Sequence, residues 1–248
     1  MSRAAAIIPA AGRGARIGFK TPKTFIDLGG EPLLARTIAT FAACRCISLI
    51  QPVLSRTHVA HFRSGILAHH RWPTCRPAVA GGRERQDSVA AGLRALPADV
   101  EYVVIHDGAR PFVTAALIQR VLAEARRHGA ALAAVPMQDT VKRVSPDLFL
   151  EGTVDRRSLW LAQTPQAFSV GLLREAHARA RAAGIEATDD AALVEALGHP
   201  VRVVSGSRLN FKITTREDLA LARIIVGRAT ENAMLRSPGT KSEYSRTS

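Results

Sequence analysis

Short apolar, β-branched runs alternate with helical patterns along most of this 248-residue chain, and that alternation limits its fold more than any other feature. Ala4–Ile8 reads as a strand, Leu33–Ala43 as a helix, and Ile47–Leu54 as a strand weakened by Pro52. Glu101–His106 is a buried strand by its β-branched content. In the helix after it, Leu117, Val121, Leu122 and Ala125 share one face, with Arg120, Glu124, Arg126 and Arg127 elsewhere. Ala130–Val135 is a further strand, Val170–Ala183 and Asp189–Leu197 are helices, and Val201–Val204 is a strand. A last helix begins near Thr215, where Thr-x-x-Asp supplies a cap, and runs to about Val226. Strand–helix alternation specifies an α/β, Rossmann-like fold: a mostly parallel sheet with helices on both faces. Ligands in such sheets sit beyond the C-terminal strand ends.

One stretch breaks the rhythm. "DTVKRVSPDLFLEGTVDRRSLW" has alternating apolar character around a turn at Ser145-Pro146-Asp147, and predicts an inserted β-hairpin arm over about residues 137–160. From Gly227 onward the chain turns polar and Ser/Thr-rich. The expected organisation is one domain over residues 1–228 and a disordered tail over 229–248.

Composition narrows the function. No apolar run approaches the roughly 18–20 residues that span a bilayer, and no signal-peptide pattern opens the chain, so the expected location is the cytoplasm, without a membrane partner. Cys44, Cys46 and Cys75 form no C-x-x-C pair and read as reduced, mostly buried thiols, with neither disulfide nor metal site. The net charge of +13 suits anionic partners. Its basic residues are scattered, however, and aromatics make up only 5%, so a nucleic-acid surface is not expected. Among 29 arginines stand only five lysines, which gives Lys20 and Lys23 in the first glycine loop the look of placed point charges.

That loop, "PAAGRGARIGFKTPKTF" (Pro9–Phe25), spaces Gly12, Gly14 and Gly18 as G-x-G-x-x-x-G. It is one residue too long for the dinucleotide fingerprint and lacks the Gly-Lys-Ser/Thr of a P-loop. It still brings backbone N–H groups and cations to a strand end, where an oxyanion can be held, unless it is a surface loop with incidental charges. "AGGRERQDSVAAGL" offers either base recognition by Gly81, Gly82 and Ser88, or a glycine turn with Asp87 or Ser88 as N-cap. In "VVIHDGARPF", Asp107 ends a strand, where it can meet a magnesium ion or a substrate hydroxyl, or simply cap. Thr188-Asp189-Asp190 reads as a helix cap.

Taken together, "PAAGRGARIG…PK", "GGRERQDSVAAGL", "HDGARP", "DTVKR", "VDRRSLWLAQTPQAF", "TDDA" and "NFKITTREDL" resemble the 2-C-methyl-D-erythritol 4-phosphate cytidylyltransferases, in that family's order from about residue 5 to 225. "DTVKR" and "VDRRSLWLAQTPQAF" favour them over the related ribitol 5-phosphate cytidylyltransferases. The resemblance implies transfer of CMP from CTP to methylerythritol phosphate, with Mg²⁺ or another divalent cation held mainly by the CTP phosphates and Asp107 beside it. It implies Arg16 and Lys23 as catalytic cations. Together with Arg16 and Lys23, Ala10, Ala11, Gly12, Gly14, Gly81, Gly82, Arg85, Ser88 and Asp107 would line the nucleotide site. Asp107, Arg110, Thr140, Arg156, Thr164 and Lys212 would surround the acceptor. It further implies a homodimer in which the arm carries Thr140 and Arg156 to the partner's site. Thr24 stands where the family usually has Gln, Gly108 replaces a common Ala, and "KITTRED" lacks a frequent Pro.

The residue inventory agrees. The sequence holds no nucleophile elbow and no obvious Cys/His pair. A phosphate monoester, with a second pKa near ~6, is already largely dianionic at neutral pH and needs no general base to attack. Placed cations suit that chemistry. A nucleotide-dependent dehydrogenase fails on glycine spacing, which leaves another polyol-phosphate cytidylyltransferase as the nearest alternative.

Overall fold

The computed structural model describes residues 3–12 and 22–236, with the backbone alone for Lys23 and residues 229–236. The elements are β1 (Ala4–Pro9), α1 (Leu33–Ala42), β2 (Leu49–Leu54), α2 (Val59–Gly65), β3 (Val79–Ala80), α3 (Arg85–Ala95), β4 (Tyr102–Ile105), α4 (Ala115–His128) and β5 (Ala130–Pro136). There follow β6 (Val141–Val144), β7 (Leu150–Val154), β8 (Trp160–Ser169), α5 (Val170–Ala182), α6 (Asp190–Glu195), β9 (Arg202–Ser205) and α7 (Arg216–Arg236). Among the described residues, seven strands form one sheet in the order β3-β2-β1-β4-β8-β5-β9. All neighbours are parallel except β8, which runs antiparallel between β4 and β5.

The apolar strands are buried on both faces. Ala4, Ala6 and Ile8 of β1 enter one core with Leu34, Ile38 and Phe41 of α1 and Ile118 and Val121 of α4. Ala5 and Ile7 enter the other core with Val89 and Leu93 of α3 and Leu173 of α5. This is why β1 reads as a continuous apolar run. Each large side chain buried here stabilises the fold by about 1.5–3 kcal/mol. A third cluster, with Leu28, Leu33, Ile213 and Leu219, packs α7 against the loop before α1.

Pro52 does not break β2. Ile50, two residues earlier, turns its N–H to Thr74 and its carbonyl to Arg76, on the side away from β1. By strand alternation Pro52 turns the same way, where β3 pairs only with Val53 and Leu54. The Gln51 amide fills that gap by donating to the carbonyls of Pro52 (3.1 Å) and Pro77 (3.0 Å).

The expected hairpin is present as β6 paired with β7, outside the main sheet and between β5 and β8. The sequence pattern did not foretell β8, α2 or β3 as elements. The last helix also continues ten residues past the expected end, to Arg236. Residues 237–248 of the expected tail lie outside the described residues.

Helix α3 crosses β1 at Gly92, where an added Cβ would stand 2.6 Å from Cγ2 of Ile7. Ile7 is fully buried, so neither side can yield. Gly92→Val is expected to lower the unfolding free energy by about 1–3 kcal/mol through overpacking, measured by urea denaturation.

Candidate active site

A cleft of about 730 Å³ opens at the C-terminal ends of β1, β2 and β4. Its walls are Pro9–Gly12 after β1, Ser55 and Arg56 after β2, Gly81–Arg85 with Ser88 at the start of α3, Asp107–Ala109 after β4, and Lys212. The glycines are there because α3 starts against them. A Cβ on Gly81 would stand 2.5 Å from Ser88 Oγ, and one on Gly82 would stand 2.2 Å from Asp87 Cβ. The helix cap differs from the one the sequence suggested. Glu84 is the N-cap, its N–H donates to the Asp87 carboxylate (3.2 Å), and the Ser88 hydroxyl donates to the Glu84 carbonyl (3.1 Å).

At the floor lies Asp107, ringed by cations from three parts of the chain. Arg85 Nε stands 3.2 Å from Oδ1, Lys212 Nζ 2.8 Å from Oδ2, and Arg110 Nε 3.8 Å from Oδ2. Burial alone would raise the Asp107 pKa; Arg85, Lys212 and Arg110 overcome it and hold the carboxyl well below the usual range. The Asp107 N–H donates to Thr164 Oγ1 at 3.0 Å. Lys212 is delivered by a strapped loop. Asn210 Nδ2 donates to the Thr164 carbonyl (2.8 Å), its carbonyl accepts from Arg110 Nη1 (2.8 Å), and the Ile213 N–H donates to the Ala109 carbonyl.

Arg85 is held from behind as well. Its Nη1 lies 2.7 Å from Oδ2 of the fully buried Asp190, whose Oδ1 is 3.2 Å from His177 Nε2. Among the described residues, the remaining guanidinium nitrogen, Nη2, is buried without a hydrogen-bond partner, as is the Thr24 hydroxyl in the cleft wall. Both are donors a ligand can satisfy. Asp189 keeps its capping role: its Oδ1 accepts from Ala192 N and its Oδ2 from Gln166 Nε2.

Of the residues expected from sequence, Ala10, Ala11, Gly12, Gly81, Gly82, Arg85, Ser88, Asp107 and Lys212 meet in the cleft. Arg110 and Thr164 stand beside Asp107. Thr140 and Arg156 do not line this cleft; they are exposed at the base of the hairpin, where Arg156 donates to the Gln138 carbonyl. Gly14, Arg16 and the Lys23 side chain lie outside the described residues. Sequence reasoning missed Thr24, Ser55 and Arg56 in the wall and Asp190 behind it. For Asp190 the available signal was a second acid following the cap. Among the described residues no three His, Cys, Asp or Glu side chains gather as a metal cage. Both Asp107 oxygens already face Arg85, Arg110 or Lys212, so a divalent ion in this cleft would take its ligands chiefly from a bound polyphosphate.

A family model described as 2-C-methyl-D-erythritol 4-phosphate cytidylyltransferase matches residues 4–228. The chain belongs to this family. Proteins of that name from Desulforamulus reducens and Syntrophus aciditrophicus are 45% and 46% identical to it, over 92% and 88% of this chain and 97% and 93% of theirs. The crystal structure of 4-diphosphocytidyl-2C-methyl-D-erythritol synthase from Anaerococcus prevotii matches with a TM-score of 0.80 at 32% identity, covering 92% of this chain and 99% of that one. The cytidylyltransferase structure from Thermus thermophilus matches at 0.73 and 39%, covering 91% and 99%. The matched span takes in the cleft, the hairpin and most of α7. No helix among the described residues is long and apolar enough to cross a membrane.

Removing Asp190 leaves Arg85 with Asp107 alone and strands buried charge. Asp190→Ala is expected to cost about 3–5 kcal/mol of stability by urea denaturation. A loss under about 1 kcal/mol would show that Arg85 does not depend on the inner carboxylate.

Proposed function

We infer that this enzyme transfers CMP from CTP to 2-C-methyl-D-erythritol 4-phosphate, giving 4-diphosphocytidyl-2-C-methyl-D-erythritol and pyrophosphate in isoprenoid-precursor synthesis. The observation that carries this reading is the near-complete match to the cytidylyltransferase family over residues 4–228, supported by a cleft that gathers the glycine turns, Arg85, Asp107 and Lys212.

The proposed step is direct displacement. An oxygen of the acceptor's dianionic phosphate attacks the α-phosphorus of CTP, the bond to the bridging oxygen breaks, and pyrophosphate leaves with the electron pair. No proton has to be removed first. The barrier lies in bringing anions together and stabilising the oxygens of the moving phosphoryl group, which fixed cations do without reorganising. In this reading Arg16 and Lys23 face the reacting phosphorus, with Gly12 and Gly14 amides close to the triphosphate. Gly81, Gly82 and Ser88 lie against the cytidine, and Arg85 offers its unpartnered Nη2 to the nucleotide. Lys212, Arg110 and Asp107 meet the acceptor, while Thr164 acts by holding the backbone of Asp107. A divalent ion such as Mg²⁺ would be held by the CTP phosphates with Asp107 as the neighbouring carboxylate, and would ease pyrophosphate departure.

Thr140 and Arg156 require a partner in this scheme. The hairpin exposes Leu148 (85%), Phe149 (75%) and Leu150 (64%), which supports a homodimer built through the arm, each arm completing the other subunit's acceptor site. A cytoplasmic location belongs to the same reading.

Pyrophosphate release should be fast with CTP and methylerythritol phosphate and at background with CTP and ribitol 5-phosphate. Preference for ribitol 5-phosphate would make the chain a different polyol-phosphate cytidylyltransferase. Arg156→Ala is expected to raise the KM for the acceptor about 10–100-fold, the scale of one charge-assisted contact, with the KM for CTP nearly unchanged. Steady-state kinetics with each substrate varied in turn checks this.

A further inference from the structure

Far from the cleft, where α1 ends and β2 has yet to begin, a tight turn brings two thiols together. The Ile47 N–H donates to the Cys44 carbonyl (3.0 Å), and the sulfurs of Cys44 and Cys46 lie 3.1 Å apart. Both cysteines are free thiols. Cys44 is buried at 2% exposure against the first core, while Cys46 is half-buried and reaches the surface. Sulfurs this close, on a turn that needs little movement to join them, make a dithiol. We propose that Cys44 and Cys46 are a redox modification site, which hydrogen peroxide converts to an intramolecular disulfide.

The chemistry of the pair supports the assignment. The hydrogen bond between the two sulfurs, together with the Cys46 N–H, outweighs burial and lowers the Cys44 thiol to about 6, below the usual thiol range. The same hydrogen bond pushes Cys46 up, reinforced by burial and the adjacent thiolate and opposed by the Arg126 charge. The contact thus favours a thiolate within the pair, on the Cys44 side. Cys75 offers the contrast: burial pushes its thiol up to about 12.

Atoms and electrons balance in two steps. The Cys44 thiolate attacks one peroxide oxygen, the O–O bond breaks, and the departing hydroxide takes the Cys46 proton to leave as water, giving a sulfenic acid on Cys44. The Cys46 thiolate then attacks the Cys44 sulfur, the S–O bond breaks, and the hydroxide leaves as a second water on taking a proton from solvent. The dithiol loses two electrons and the peroxide gains them. A dithiol reductant reverses the change by exchange.

Arg45 between the two cysteines makes the product easy to read. The full-length protein, freed of reductant, is treated with hydrogen peroxide, alkylated and digested with trypsin without reduction. The intact mass should fall by about 2 Da and one cysteine, Cys75, should remain alkylatable. Cleavage after Arg45 should leave the peptides TIATFAACR and CISLIQPVLSR joined only through the disulfide, and separable by dithiothreitol. In Cys46→Ser both the mass loss of about 2 Da and the joined peptides should disappear, because Cys44 then has no partner sulfur beside it. A sulfinic acid on Cys46, a bond to Cys75 or between two copies, or three unreacted thiols would each overturn the proposal, as would a persisting loss of about 2 Da in Cys46→Ser.

Discussion

Asp107 draws Arg85, Arg110 and Lys212 to the end of β4, from positions 22 residues before it to 105 residues after it in sequence. Buried alone, none of these charges would be tolerated; together with Asp190 behind Arg85 they form an alternating chain of acids and bases. The arrangement orders three loops at once. It fixes the start of α3, the turn after β4 and the segment that carries Lys212, and it leaves Arg85 Nη2 without a partner among the described residues. Cations crowded around so few carboxylates make a site ready for anions, which is the demand set by joining a triphosphate to a phosphate monoester.

The parallel strands and their helices were legible in the sequence because their side chains are buried for one reason, apolar packing on both sheet faces. Ala4–Ile8, Leu33–Ala43 and Ala130–Val135 fall within a residue of β1, α1 and β5. Strand β8 was not legible, because buried Gln163, Thr164 and Gln166 interrupt its apolar residues and break the alternation. Gln163 donates to the Ser207 carbonyl, Thr164 accepts from Asp107 N, and Gln166 binds Asp189 and accepts from the Ala191 N–H. No periodicity rule recognises a strand whose side chains serve as internal hydrogen-bond partners for loops. The ladder with β5 also shifts between Leu132 and Ala134, opposite this segment.

The site divides in the same way. Glycines and strand-end charges marked the cleft, since Gly81 and Gly82 admit the start of α3 and Asp107 ends a clear strand. The partners that fix those charges were hidden, because Asp190 looks in sequence like an extra residue of a helix cap, and only the fold brings it to Arg85. Thr24 has a place: its buried hydroxyl sits in the cleft wall, without a hydrogen bond among the described residues. Thr140 and Arg156 stand apart on the arm, so the reading of a complete acceptor site depends on a second subunit.

The charge cluster at Asp107 is tested most directly by the turnover of Asp107→Asn with CTP and methylerythritol phosphate, alongside its unfolding curve. With the carboxylate gone, Arg85 and Lys212 lose their common partner. The variant is expected to fold, yet to lose at least ~10²-fold in kcat/KM for the acceptor, the scale of one preorganised electrostatic contact. A folded variant that turns over like the unaltered enzyme would contradict the placement of the reaction at the end of β4.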